Sequence, residues 1–306
     1  MTEKPFHLVE RAAQRLLKGG MLEPAAATGA APAPPPDEPP PPPPPPREPP
    51  RDPLGDFGPP GLAGNVRMID MAALQNAGMI DWTHTRNRIT EEFRIIRSQV
   101  LRASFAPQSP EHGLHNLVML TSARPGEGKS FTSLNMAASI AQQNDYKVLL
   151  VDADSKPRSI GQLLGLANMP GLMDIAADHS LDPDRLIVPT AIDTLTVLPI
   201  GHHDHRSAEL FTNRRTANII QELGRRYADR IVIIDAPPAL SSSDPATLAP
   251  IVGQIVVVVE ADKTQREEVE STLDLIQACP SISLLLNKIQ LSTKHAFGAY
   301  YYAYSS

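Results

Sequence analysis

With 306 residues, 32 of them proline and one of them cysteine, the chain has the length for one large or two modest domains and cannot form an intramolecular disulfide. A formal charge of −6 argues against a surface that neutralises nucleic-acid phosphates. No segment approaches the roughly 18 consecutive apolar residues of a membrane span, and the N-terminus lacks the apolar run of a signal peptide, so a soluble cytoplasmic protein is expected.

Phe6, Val9, Ala13, Leu16 and Leu17 recur at three- and four-residue spacing until Gly19 and Gly20, which predicts an amphipathic helix within residues 1–20. Too short to be stable alone, it would dock on a partner protein, a membrane surface or its own main domain. Residues 21–66 hold more than half of the prolines, including the run Pro39 to Pro46, and almost no large apolar side chains. This composition predicts a disordered linker, partly polyproline II, whose eight-proline run spans roughly 25 Å at about 3.1 Å per residue.

The main domain is placed at residues 67–294. A helical pattern starts near Thr90, with Phe93, Ile96, Val100 and Leu101 on its apolar side and Glu91, Arg94 and Arg97 beside them. Apolar strands then alternate with helices: strands at 117–121, 147–151, 195–200, 231–234, 255–259 and 283–286, and helices at 130–142, 214–227 and 267–277. The expected fold is α/β, a doubly wound, mostly parallel sheet flanked by helices, with ligands at the carboxyl ends of its strands. Cys279, before Pro280, has no ligand pattern around it and reads as a packing residue. His202, His203 and His205 around Asp204 lack metal-ligand spacing and read as a solvated loop.

The strand ending at Thr121 runs into Ala123-Arg-Pro-Gly-Glu-Gly-Lys129-Ser130 and then a helix, the context in which a glycine-rich turn cradles phosphates. It follows the spacing of a Walker A loop, with Ala123 in place of the first glycine. The set expected to bind the nucleotide is Gly126, Glu127, Gly128, Lys129, Ser130 and Phe131. Gly126 and Gly128 let N–H groups converge, Lys129 can bridge phosphates, and the Ser130 hydroxyl can ligate Mg²⁺. Asp152 and Asp154 end one apolar strand and Asp235 ends another, where carboxylates can hold a metal or accept a proton.

Together these residues resemble the bacterial tyrosine kinases, P-loop enzymes related to septum-placing and chromosome-partitioning ATPases. The resemblance rests on the loop to Ser130, on Leu-Val-Asp152-Ala-Asp154 as a second Walker A′ motif, on Ile-Ile-Asp235-Ala-Pro-Pro as Walker B, and on Glu91-Glu-Phe-Arg94-Ile-Ile-Arg97 as an oligomerisation motif. The opening Leu-Val-Glu-Arg-Ala-Ala-Gln-Arg-Leu is similar to the start of the exosortase-associated autokinases of exopolysaccharide clusters. The resemblance implies ATP and Mg²⁺ as cofactors, Lys129, Asp152 and Asp154 as catalytic residues with Asp152 the base, and Ser130, Asp154 and Asp235 around the metal. Asn287 corresponds to the adenine-contacting position of the wider group, or is a turn residue. It further implies a ring-like homo-oligomer built through Glu91, Arg94 and Arg97, a membrane-embedded polysaccharide chain-length regulator as activator, a tyrosine phosphatase, and recruitment to the inner face of the membrane.

Arg124 stands where partitioning ATPases carry a lysine that reaches a neighbour's phosphates; it either stabilises transferring charge or is a solvated loop residue. Which of Lys156 and Arg158 approaches the nucleotide stays open. Residues 295–306 carry Tyr300, Tyr301, Tyr302 and Tyr304, a concentration that reads as a docked terminal strand or as phosphoacceptors. After a P-loop and three placed aspartates, the phosphoacceptor reading prevails. A partitioning-type ATPase that switches partners by nucleotide-dependent dimerisation is the alternative, and it leaves the tyrosines without a purpose.

Overall fold

A computed structural model describes residues 68–81, 88–104, 113–156, 159–178, 180–202 and 214–290, all within the compact unit spanning Gly61–Ser306. The expected N-terminal helix, the proline linker, Arg158, His203, His205 and the tyrosine tail lie outside the described residues.

Seven strands form one sheet: β1 (Leu114–Ser122), β2 (Lys147–Asp152), β3 (Val188–Pro189), β4 (Leu195–Leu198), β5 (Arg230–Asp235), β6 (Val252–Glu260) and β7 (Ile282–Asn287). Their order is β3-β4-β2-β5-β1-β6-β7, and every pair is parallel except β3 with β4. The expected doubly wound, mostly parallel sheet is therefore the one observed. Burial on both faces explains the continuous apolar runs of its central strands. Successive residues of β1 serve opposite cores, with Leu117 and Met119 in one and Val118 and Leu120 in the other.

Helices α1 (Met71–Asn76), α2 (Arg88–Ser104), α3 (Lys129–Ala141) and α4 (Ile160–Leu163) contribute to the core that holds Val118. The opposite face is covered by α5 (Leu172–Ala177), α6 (Arg214–Arg226), α7 (Asp244–Leu248) and α8 (Arg266–Ile276). Cys279 is buried there, its thiol donating to the Ser281 carbonyl at 3.3 Å, which fits the packing role. Four short helices and the two-residue β3 were not anticipated, because four to six residues cannot display an apolar period. The strand expected over 195–200 ends at Leu198, where the Pro199 and Ile200 carbonyls turn to accept the N–H groups of Leu172 and Met173 at the start of α5.

Chain direction brings the carboxyl ends of three neighbouring strands together. Asp152 and Asp235 are register partners across β2 and β5, and Asp235 also pairs with Leu120 of β1. The connection from β5 to β6 passes over β1, so the chain diverges on either side of the strand that feeds the glycine-rich loop.

The segment around α1 is fastened to α3 by one buried amide. Asn135 accepts from the Ile80 N–H at 2.7 Å and donates to the carbonyls of Gly78 at 3.0 Å and Phe131 at 2.9 Å. Asn135→Ala would strand these groups, and is expected to cost about 1–3 kcal/mol, read as a lower urea midpoint with an unchanged slope.

Candidate active site

The loop between β1 and α3 owes its shape to two glycines in the left-handed region, Gly126 at φ 89° and Gly128 at φ 96°. Gly128 is the N-cap of α3 and supplies no side-chain acceptor, so the helix's first N–H groups and its positive end remain available to an anion. Glu127 sits between them at 2% exposure and braces the loop. One of its carboxylate oxygens accepts from the Arg124 N–H at 2.7 Å, and the other accepts from the Thr264 hydroxyl and from the Glu260 N–H. On the same side Asn287, closing β7, donates to the Glu127 carbonyl at 2.8 Å, and Lys288 donates to the Gly126 carbonyl at 2.6 Å.

Lys129 lies at the centre. Its ammonium is 2.5 Å from Asp154 Oδ2, 3.7 Å from Asp235 Oδ2 and 3.1 Å from Ser130 Oγ. Burial works against its charge, but Asp235 and Asp154 outweigh burial and hold its pKa above the ordinary value. Asp235 is wholly enclosed, and burial raises its pKa although Lys129 and Ser133 oppose the shift. Its Oδ1 accepts from the Ser133 hydroxyl at 2.9 Å, while Oδ2 is buried with no hydrogen-bond partner.

An orphaned carboxylate oxygen beside a second carboxylate and a serine hydroxyl suits a hard divalent cation. Among the described residues no three acidic or imidazole groups form a protein-only cage. Mg²⁺ does not require one, being held by one or two carboxylates together with water and substrate phosphates. Ser130, Asp154 and Asp235 are the residues here that fit it.

Asp152 is also fully enclosed, its two oxygens accepting from the N–H groups of Asp154 at 3.2 Å and Gly161 at 2.8 Å. Burial, with a contribution from the charge of Asp235, pushes its pKa up to about 7. Asp154 is 5% exposed and accepts from the Lys156 N–H at 3.1 Å as well as from Lys129. The structure thus gathers Gly126 to Ser130, Asp152, Asp154, Asp235 and Asn287 at one edge of the sheet. Phe131 is set apart from them: partly exposed, it meets Phe93 edge to face at 6.2 Å.

A protein-family model described as "ParA: NUBPL iron-transfer P-loop NTPase" matches residues 113–287. The tyrosine-protein kinase YwqD of Bacillus subtilis is 30% identical over 75% of this chain and 96% of its own length. The chain belongs to the bacterial tyrosine kinases. EpsB of Ralstonia nicotianae is 34% identical over 53% of this kinase, which spans only 21% of that longer relative. Among solved structures, the kinase domain of the Escherichia coli tyrosine kinase ETK superposes with a TM-score of 0.60 at 25% identity, over 70% of this chain and 81% of that one.

Elsewhere in the kinase, Glu91 and Arg94 pair with each other at 3.1 Å on the exposed side of α2. Arg97 instead reaches inward, its guanidinium donating to the Ser139 carbonyl at 2.8 Å, so one of the three motif side chains is engaged within its own chain. Arg124 lies 3.5 Å from Glu268. His202 is held by Asp174 at 2.9 Å in an exposed pair.

Sequence reasoning missed Lys288, which adjoins Asn287 at a strand end but belongs to none of the motifs. It also missed Asp244, buried at the start of α7, where burial and the charge of Asp154 raise its pKa. Ser243-Asp244-Pro245 reads simply as a helix start, which hides its closeness to Asp154. Gly128→Ala would put a methyl group 2.2 Å from the Asn287 amide and force a left-handed alanine. It is expected to abolish nucleotide binding, measured by fluorescence of a labelled ADP, and to lower stability by at least about 1 kcal/mol.

Proposed function

We propose that this kinase transfers the γ-phosphoryl group of ATP, with Mg²⁺, to Tyr300, Tyr301, Tyr302 and Tyr304 of a neighbouring subunit. The observation that carries the proposal is the buried cluster of Lys129, Asp154 and Asp235 against a glycine-rich loop with free helix N–H groups. It is a site for polyphosphate in a chain that ends in clustered tyrosines.

In this reading Lys129 leaves its carboxylate partners to grip the β- and γ-phosphates, and the N–H groups at the start of α3 hold the bridging oxygens. When bound, Mg²⁺ spreads the charge that develops on the phosphates. Asp152 takes the phenolic proton. The tyrosine oxygen bonds to the γ-phosphorus as its bond to the β–γ bridging oxygen breaks, and ADP departs with that electron pair. Asp152 is fully enclosed whereas Asp154 is 5% exposed, so the entering tyrosine must reach a buried carboxylate.

Each phosphotyrosine adds about 1.5–2 negative charges, so several on one tail repel one another and any acidic neighbour. The proposed consequence is a ring that disperses as its tails are modified and reassembles after a tyrosine phosphatase acts. Exopolysaccharide polymerisation or export is the process we propose it regulates, at the inner face of the membrane. A membrane-embedded chain-length regulator would activate it there. Among the described residues no helix is long and apolar enough to cross a membrane, which suits recruitment through such a partner.

Trypsin should release His295 to Ser306 as one peptide. After incubation with Mg-ATP its mass should rise by one or more phosphates; an unchanged mass alongside ATP hydrolysis would favour the partitioning-type ATPase. For transfer between subunits, a Lys129→Met chain mixed with an active chain truncated after Gly298 should acquire phosphate on its intact tail. An inactive chain that stays unlabelled rules transfer in trans out. The interface is best tested with Glu91→Ala/Arg94→Ala, which spares the internal Arg97 bond. This variant should sediment as a smaller species, and wild-type sedimentation would remove the assignment.

A further inference from the structure

Lys288 stands outside every motif, yet its side chain is directed back at the phosphate loop. It adopts φ 57°, uncommon for a residue with a side chain, and the Asn287 amide oxygen accepts its N–H at 2.9 Å. Its ammonium donates to the Gly126 carbonyl at 2.6 Å and is anchored by Glu260 at 3.1 Å. The preceding side chain, Asn287, donates to the next carbonyl of the loop, that of Glu127, at 2.8 Å. Two consecutive peptide units of the loop are therefore each held by their oxygen from the β7 side.

A trans peptide is planar, with its C=O and N–H pointing in opposite directions. Holding the Gly126 oxygen toward β7 turns the Glu127 N–H away from β7, and holding the Glu127 oxygen does the same to the Gly128 N–H. In the sheet, β7 lies two strands beyond β1 on one side, while β5 and β2, with Asp235 and Asp152, lie on the other. The two N–H groups thus face the half of the site that holds Lys129 and the aspartates. Among the described residues none accepts a hydrogen bond from either of them.

We propose that Lys288 and Asn287 are positioning residues that set two peptide planes of the phosphate loop, aiming the Glu127 and Gly128 N–H groups at the polyphosphate whatever base it carries. This deepens the nucleotide-site reading given above and rests on it. It gives Lys288 a role without contact to the nucleotide, and it assigns the Asn287 amide to the loop instead of the adenine ring. An ammonium on an otherwise exposed side chain also opposes the negative charge of the ligand through a single intervening peptide.

The test compares the full chain with Lys288→Met, Lys288→Arg and Asn287→Ala in binding fluorescent ATP and GTP analogues with Mg²⁺, and in displacement of the label by inorganic tripolyphosphate. Lys288→Met should weaken all three ligands by a similar factor of about ten, the scale of one charge-assisted hydrogen bond. Asn287→Ala should likewise weaken all three evenly. Lys288→Arg should restore most of the affinity. The thermal midpoint of ligand-free Lys288→Met should stay near that of the wild type, because the side chain is half exposed. Wild-type affinity in Lys288→Met overturns the role of Lys288, and loss of ATP affinity alone in Asn287→Ala returns Asn287 to adenine recognition. A midpoint that falls in step with affinity makes the lysine a stability residue. Failure of the wild type to bind any of the three ligands removes the nucleotide site itself, and this inference with it.

Discussion

Three carboxylates gathered at the ends of adjacent buried strands repel one another, and enclosure strips them of the water that would otherwise screen them. Lys129 is the cation that makes the arrangement tenable, touching Asp154 and standing near Asp235. The residue proposed to meet a phosphate is thus already a counter-ion. On the proposed function a polyphosphate would compete for an ammonium that the protein occupies, and a divalent cation arriving with it would supply the charge that the carboxylates lose. Such an exchange would amount to a swap of ionic partners, which would favour the metal complex over the bare nucleotide.

The fold makes such crowding unavoidable. Parallel strands point their carboxyl ends the same way, and the order β2-β5-β1 places Asp152, Asp235 and the glycine-rich loop side by side. Their apolar side chains fill two cores on opposite faces, so the strand ends have little freedom to separate. Packing energy holds together groups whose electrostatics would drive them apart.

Much of this was legible in the residues. Continuous apolar runs such as 147–151 and 231–234 announced buried parallel strands, and the acids at their ends announced the cluster around Lys129, because both signals are local. What escaped notice was relational. Lys288 is an unremarked lysine until the sheet places β7 two strands from β1. Asp244 passes for a helix-start residue until the turn after β5 brings it near Asp154. Arg97 shares a motif with Glu91 and Arg94, but helical phase points it at Ser139 while the other two remain outside. Short helices vanished for a different reason: α4, α5 and α7 have too few residues to show a period, and are held by caps and tertiary contacts.

Arg97 ties α2 to α3 at Ser139, and α3 begins at Lys129. Ten residues of helix make a strut about 15 Å long, with Lys129 at one end and the bolt to α2 at the other. Phe93 against Phe131 adds a second fastening near the start of the same helix. A well-packed strut tilts more readily than it bends. Whatever leans on the exposed Glu91 and Arg94 side of α2 therefore bears on the lysine as well, and the outer surface of the domain and its innermost charge belong to one mechanical part.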